Sequence, residues 1–218
     1  GLTYFWSFLA GAILMFYGAL KHFKKNRIKA TVLYSLFLFG FIFSRYSSSS
    51  TFNGTSNLSK VVYIGSLILF GIAIIWYYLY TYYKNKEAYQ EILSIDKTYI
   101  FMLIFLTLMI VAGRSAVRLM LILAPVTTIL VAFLFVWAFD YAFYNLKSNI
   151  FKIGIYAAVL YLLVFMVYSF SSSSMAIASY SGPVYNQQWQ VAMDWAKKNT
   201  PETAVFAHWW DYGYLVQY

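Results

Sequence analysis

Six long runs of apolar residues follow one another along the chain, and short polar segments separate them. Each run is close to the roughly 20 residues that a helix needs to cross the hydrocarbon core of a bilayer. Charged residues lie only at or near the ends of the runs. This pattern favours membrane helices over the core helices of a soluble protein. It predicts six spans, at residues 4–20, 28–44, 61–83, 99–113, 119–140 and 150–170, the fourth extending over Thr98 and into the next turn.

Positive charge alternates between the segments that connect these runs. Short cytoplasmic loops carry an excess of Lys and Arg. The first, third and fifth loops are therefore predicted to face the cytoplasm, and the second and fourth loops and everything after Phe170 to face outside. The basic residues behind this orientation are Lys21, Lys24, Lys25 and Arg27 in the first loop, Lys84, Lys86 and Lys97 in the third, and Lys147 and Lys152 in the fifth.

The second loop contains two matches to the acceptor pattern for N-glycosylation. They are Asn53-Gly54-Thr55 and Asn57-Leu58-Ser59. Acceptor sites of this kind belong on external loops. The matches agree with an outside location, although coincidence in a Ser- and Asn-rich turn explains them equally well.

The sequence becomes more polar after the sixth apolar run. The Ser171–Ser174 run and Ser181-Gly182-Pro183 predict a polar connector. Apolar residues near helical spacing follow at 188–196, and Thr200 before Pro201 predicts the end of that helix. Residues 204–207 are typical of a short buried strand. The predicted organisation is thus a membrane domain at 1–172 and the start of an extracytoplasmic α/β domain at 173–218.

Composition supports a membrane protein. The chain is 62% apolar and 11% charged, whereas soluble domains average about 45–50% and about 25%. The net charge of +9 is then explained by topology and anionic lipid rather than by nucleic acid. The absence of Cys excludes disulfides and thiolate chemistry. Because the chain starts at Gly1 and stops within an aromatic stretch at Tyr218, we expect it to be part of a longer protein.

The residues with the most distinctive chemistry are Trp209-Trp210-Asp211-Tyr212-Gly213. Two indole N–H donors beside one carboxylate can hold a hydroxyl group from both sides, and a glycine allows the turn to be sharp. The same residues also fit an aromatic belt at the membrane interface. The neighbouring His208 is poor evidence for a metal site, since no Cys or second His accompanies it.

A second candidate is Arg118, at the predicted outer end of the fifth run. An Arg near the end of a membrane helix is usually paired or functional. Its guanidinium suits bidentate capture of a phosphate carried by a lipid, although it could also reach out to the headgroups. For Arg114 this second, snorkelling interpretation is preferred. Pro125, shortly after Arg118, is expected to bend the helix and shape a cavity.

Taken together, these motifs resemble a known family. The pentapeptide at 209–213, preceded by Trp195-Ala196-Lys197-Lys198-Asn199-Thr200-Pro201-Glu202, resembles the signature region of the catalytic subunit of oligosaccharyltransferase of the archaeal AglB type, the dolichyl-phospho-oligosaccharide–protein glycotransferases. The stretch from Arg118 to Pro125 is similar to the family's sequence at the outer end of a late membrane helix. The resemblance implies that the six helices are the last six of thirteen, ahead of an extracytoplasmic domain, in the plasma membrane.

The resemblance also implies a reaction. The family transfers an oligosaccharide from a dolichyl phosphate or pyrophosphate carrier to Asn in Asn-x-Ser/Thr of a polypeptide. Trp209, Trp210 and Asp211, with Tyr212 and Gly213, would bind the acceptor peptide through its Ser/Thr hydroxyl, and Arg118 would bind the carrier phosphate. The expected partners are thus the lipid-linked oligosaccharide, the acceptor polypeptide and membrane lipid, without nucleic acid.

The chain departs from the family pattern in two respects. The family holds Mg²⁺ or Mn²⁺ with acidic residues in earlier loops, so the metal ligands are predicted outside this chain. The family also uses a Glu in a long external loop, whereas residues 45–60 contain no acidic residue. Asn53 is the nearest substitute. This segment is therefore expected to contain no catalytic residue of its own and to be inactive alone.

A function of another class remains open. A multipass transporter or membrane scaffold would use the aromatic cluster as an interfacial anchor. It would also carry polar residues near the bilayer midplane, which these helices almost lack. A membrane glycosyltransferase of another family is a third possibility, and it would not need the Trp-Trp-Asp motif.

Overall fold

The computed structural model describes residues 1–23, 25–115, 120–182 and 185–207. Of these, 80% are helical, and no β-strand occurs among them. The helices are α1 (Leu2–Ala19), α2 (Arg27–Phe43), α3 (Asn57–Lys84), α4 (Lys86–Leu93), α5 (Lys97–Ser115), α6 (Met120–Asn145), α7 (Asn149–Tyr180) and α8 (Gln187–Asn199). The chain divides into two compact units, Gly1–Leu163 and Val164–Tyr218.

Five of the described helices, α1, α3, α5, α6 and α7, are long and apolar enough to cross a membrane. Each corresponds to one of the predicted spans, and α5 extends in both directions as expected for the fourth. The remaining predicted span, the second at residues 28–44, corresponds to α2, which has 17 residues and lies at the lower limit of spanning length. The six apolar runs are therefore confirmed as helices.

The first unit has two centres of packing. In one, α1 lies against α6 at Gly11 and Ala12, where a Cβ added to Gly11 would run into the backbone oxygen of Leu130. Small residues allow helices to approach this closely in a membrane, where van der Waals packing replaces the hydrophobic effect. In the other, aromatic rings of α2 and α3 stack, with 4.3 Å between the ring centroids of Phe37 and Phe70.

Loops one and three lie at the same end of this unit. The amide of Asn26 donates to the hydroxyl of Tyr77, at 3.4 Å. Asp96 accepts a 2.8 Å hydrogen bond from the backbone N–H of Thr98, which keeps the pKa of its carboxyl below the ordinary value, and the charge of Lys21 contributes in the same direction. A charge in the first loop therefore lowers the pKa of a carboxyl group in the third loop.

The end of α5 lies against loop two and the end of α2 at the opposite end. There Arg114, in the last turn of α5, donates to the hydroxyl of Ser44 at the end of α2. The starts of α1 and α6 also meet at this end, where 2.8 Å separates the hydroxyls of Tyr4 and Thr127. This arrangement is the one that alternating spans require.

Two local predictions were wrong, and one short helix was not predicted. The expected connector at Ser171–Ser174 is helical, because propagation adds one hydrogen bond per residue and no helix breaker occurs before Gly182. The third loop contains the short helix α4, which Asn85 caps by accepting from the N–H of Ala88. Residues 204–207 form no strand, and Val205 is 97% exposed.

The wrong strand prediction has a simple physical reason. A four-residue strand is stable only when a neighbouring strand accepts and donates its backbone hydrogen bonds. No such partner exists among the described residues. An α/β domain is therefore not part of the observed fold, and the second unit shows the end of α7, the helix α8 and an extended segment.

The opposite placement of loops two and three gives a first prediction. The chain contains no Cys, so one introduced thiol is a unique label site once any Cys in the rest of the full-length protein has been replaced by Ser. Ser49 and Ser94 are both exposed, one in each loop. In intact cells, a membrane-impermeant maleimide should label Ser49→Cys of the full-length protein, and it should label Ser94→Cys only after permeabilisation. Labelling of both from one side would refute the alternation, and exchanged labelling would reverse the orientation.

Candidate functional site

The strongest sequence candidates lie outside the described residues. This applies to Trp209, Trp210, Asp211, Tyr212 and Gly213, to His208 and to Arg118. The roles assigned to them remain predictions. What the structure describes is the chain that leads up to the pentapeptide and the helix ends that surround Arg114.

The segment before the pentapeptide folds largely as its sequence predicts. Asn186 caps α8 by accepting from the N–H of Trp189 at 3.1 Å. The helix ends at Asn199, and Thr200 has an extended backbone, with φ −121° and ψ 148°, as is typical of a residue before proline. An i, i+4 ion pair of 2.7 Å joins Lys198 to Asp194 on the exposed surface. Residues 201–207 then continue without regular structure.

Helix α8 presents apolar side chains to its surroundings within the second unit. Val191 is 63% exposed and Trp195 is 64% exposed. They lie four residues apart, on one face of the helix. Sequence periodicity predicted this apolar face but not its exposure, because periodicity does not say what covers a face.

Asn53 was the nearest substitute for the family's loop glutamate. Its side-chain oxygen accepts three hydrogen bonds, from the N–H and hydroxyl of Thr55 and from the N–H of Ser56, at 2.8–3.1 Å. The oxygen thus closes the turn in which Gly54 adopts φ +88°. Asn53 is a turn-forming residue here, and its oxygen is occupied by its own loop.

The two glycosylation patterns in this loop differ in accessibility. Asn57 begins α3, and Ser59 is fully buried, with its hydroxyl donating to the carbonyl of Thr51 at 3.2 Å. Thr55, in the first pattern, is exposed. Only the first pattern therefore exposes its hydroxyl to a modifying enzyme in this structure. The sequence alone made no distinction between the two.

Arg114 makes specific contacts that the snorkelling interpretation did not include. Its guanidinium folds back onto the end of α2, where Nη1 lies 2.7 Å from the hydroxyl of Ser44 and 3.5 Å from the carbonyl of Phe41. It also covers the ring of Tyr63, with 4.0 Å between Cζ and the ring centroid. The side chain therefore connects α5 with α2 and α3.

Arg45 joins the same cluster. Its Nη1 donates to the carbonyl of Arg114 at 3.3 Å. Its aliphatic stem lies along Gly54, where an added Cβ would be 2.9 Å from Cγ. Sequence analysis missed this neighbourhood, because the two arginines are 69 residues apart; the available signal was that both stand at helix ends predicted to share one side.

The described residues do not provide a metal site. Among them, no group of three or more His, Asp or Glu side chains is close enough to hold a metal ion. The divalent cation that the resemblance implies is not tested by these residues. Its ligands remain predicted in other segments, and no step proposed below passes through it.

Known proteins offer no further constraint on the site. Comparisons of the chain with models of protein families, with curated proteins and with solved structures found no match.

Proposed function

We propose that this chain is part of an integral-membrane oligosaccharyltransferase, which transfers an oligosaccharide from a dolichyl-phosphate-type carrier to Asn in Asn-x-Ser/Thr. The observation that carries the proposal is the sequence Trp209-Trp210-Asp211-Tyr212-Gly213 after a series of apolar helices. The helical fold supports the membrane part of this proposal. The resemblance supplies the reaction.

The acceptor is recognised through its hydroxyl group. The carboxylate of Asp211 accepts a hydrogen bond from the Ser or Thr hydroxyl. The indole N–H groups of Trp209 and Trp210 donate hydrogen bonds to the oxygen of that hydroxyl. A site built in this way rejects a peptide without the hydroxyl, because its own polar groups are then left without partners. Recognition of the residue two positions beyond Asn holds the amide in place for the reaction.

The carrier phosphate is bound by Arg118. During transfer, the anomeric carbon of the sugar bonds to the amide nitrogen of Asn, and its bond to the phosphate oxygen breaks. Negative charge accumulates on the departing phosphate. A guanidinium fork stabilises that charge through two parallel hydrogen bonds. The proton of the amide leaves to a base outside this chain.

The proposal is tested with the full-length protein in lipid, a lipid-linked oligosaccharide and a fluorescent peptide containing Asn-Ala-Thr. A glycopeptide should form, detected by mass spectrometry, and the matched Gln-Ala-Thr peptide should remain unmodified. Absence of both sugar transfer and peptide binding under conditions where the protein is folded would overturn the proposal.

A transporter or scaffold is the second candidate function. One observation favours it: the chain uses aromatic residues as interface anchors elsewhere. At the end of α3, Trp76, Tyr80 and Tyr83 are about half exposed or more, next to Lys84, as in an aromatic belt. The pentapeptide would then be another belt. In that case, replacing the pentapeptide would change membrane insertion. The unchanged protein would not bind an acceptor peptide at all.

A further inference from the structure

Two arginines at one end of the first unit carry charge that the unit does not neutralise. Within the described residues, Arg45 and Arg114 donate their hydrogen bonds to neutral groups, namely the hydroxyl of Ser44 and backbone carbonyls. Guanidinium groups stay protonated at any physiological pH. Two full positive charges therefore stand side by side, with Lys60 as a third basic residue in the adjoining first turn of α3.

The acidic residues of this unit lie at its other end. Glu87, Glu91 and Asp96 belong to the third loop and its helix α4. Asp140 stands 20 residues into α6, which is about 30 Å from the start of that helix at 1.5 Å per residue. Within the described part of this unit, a carboxylate partner for the two arginines is therefore absent.

The two guanidinium groups are held in place and still have donors to offer. Arg114 is fixed by Ser44 and by the ring of Tyr63, and its Nε–H has no hydrogen-bond partner among the described residues. Arg45 uses one N–H toward the carbonyl of Arg114, while Gly54 lets its stem lie along the loop. Positioned arginines with free N–H donors match the oxygen atoms of a phosphate.

We propose that Arg45 and Arg114 form a binding site for a phosphate group, supplied by the headgroup of an anionic phospholipid. Arg114 stands at the end of α5, which is apolar enough to span a bilayer, and Arg45 follows the end of the apolar helix α2. Lipid phosphates lie at the ends of membrane-spanning helices. Basic pockets between membrane helices bind such headgroups. This site is independent of the proposed sugar transfer and of Arg118.

The chain provides a matched control at the opposite end. Arg27 also donates to a backbone carbonyl, that of Tyr17 at 3.0 Å, and its Cζ lies 3.5 Å from the centroid of the Tyr17 ring. It shares the chemistry of Arg114 but does not belong to the pair. Its replacement therefore reports the general effect of removing one interfacial positive charge.

The test is native mass spectrometry of the full-length protein in detergent, titrated with phosphatidylglycerol and, separately, with diacylglycerol, which has no phosphate. Phosphatidylglycerol should bind, and diacylglycerol should not bind at this site. The double variant Arg45→Gln, Arg114→Gln should bind phosphatidylglycerol about tenfold more weakly. Arg27→Gln should bind it within about twofold of the unchanged protein.

Unchanged lipid affinity in the double variant would overturn the proposal, and so would an equal loss in Arg27→Gln. If the double variant fails to fold, Arg45→Gln gives the answer, because it leaves the bond between Arg114 and Ser44 in place. It should lose about threefold in affinity; no loss would overturn the proposal. Competition with millimolar inorganic phosphate identifies the source: displacement of lipid indicates a site that also takes free phosphate, and its absence indicates a headgroup site.

Discussion

Replacement of Asp211 by alanine in the full-length protein should lower oligosaccharide transfer to an Asn-Ala-Thr peptide about 100-fold. The carboxylate is proposed to accept the proton of the Thr hydroxyl, and a hydrogen bond to a charged group contributes about 1.5–3 kcal/mol. Trp209→Ala should act in the same direction through the loss of an indole donor. The measurement is kcat/KM for glycopeptide formation.

A tryptophan on the membrane helices serves as the control for these variants. Trp76 is 64% exposed on α3 and has no role in the proposed acceptor site. Trp76→Ala should therefore keep transfer within about threefold. Transfer that survives both Asp211→Ala and Trp209→Ala in folded protein would contradict the role given to the pentapeptide.

Replacement of Gly11 by alanine should separate the two helices that pack most closely. The new methyl group would meet the backbone oxygen of Leu130, which cannot rotate away as a side chain would. Overpacking of this kind costs about 1–3 kcal/mol. Gly11→Ala should accordingly lower the free energy of unfolding of the detergent-solubilised protein, and Gly11→Leu should lower it further.

Gly71 provides the matched control, since it lies in α3 and a Cβ there would meet nothing within 4 Å. Gly71→Ala should be neutral or slightly stabilising, because alanine is the better helix former. Equal thermal stability of Gly11→Ala and the unchanged protein would contradict the close packing of α1 and α6.

The sequence predicts the long helices well, for a definite physical reason. In a bilayer every backbone polar group must be satisfied within the segment, so a run of apolar residues has few structures open to it. The apolar pattern determines the ends of these helices less well. Ser171–Ser174 was expected to interrupt a helix that in fact continues to Tyr180, since serine in an established helix is only a weak breaker.

The short helix α4 shows what apolar runs do not reveal. It has eight residues and is mostly polar, so no membrane signal marks it. Tertiary contacts help to explain it: the hydroxyl of Tyr89 lies 3.2 Å from that of Tyr78 on α3, and the ring of Tyr89 packs on Tyr82. The hydrogen bond between the two hydroxyls raises the pKa of Tyr89, because it stabilises the protonated form.

The candidate site divides in the same way. Its residue types, a carboxylate between aromatic donors, are read directly from the sequence, and so is the helix end at Thr200. The cluster of Arg45, Arg114 and Ser44 is not, because Arg114 lies 69 residues from Arg45 and meets it and Ser44 only through helix packing. Asn53 illustrates the intermediate case: a turn was predictable, but not that its oxygen would be used to close it.

The most direct test of the central claim compares two acceptor peptides, Asn-Ala-Thr and Asn-Ala-Val, which differ mainly by one hydroxyl. The full-length protein should prefer the Thr peptide by about 1,000-fold or more in kcat/KM, and Asp211→Ala should reduce that preference to less than about tenfold. A wild-type preference near one, or a preference that Asp211→Ala leaves unchanged, would contradict the proposal that this pentapeptide reads the acceptor hydroxyl.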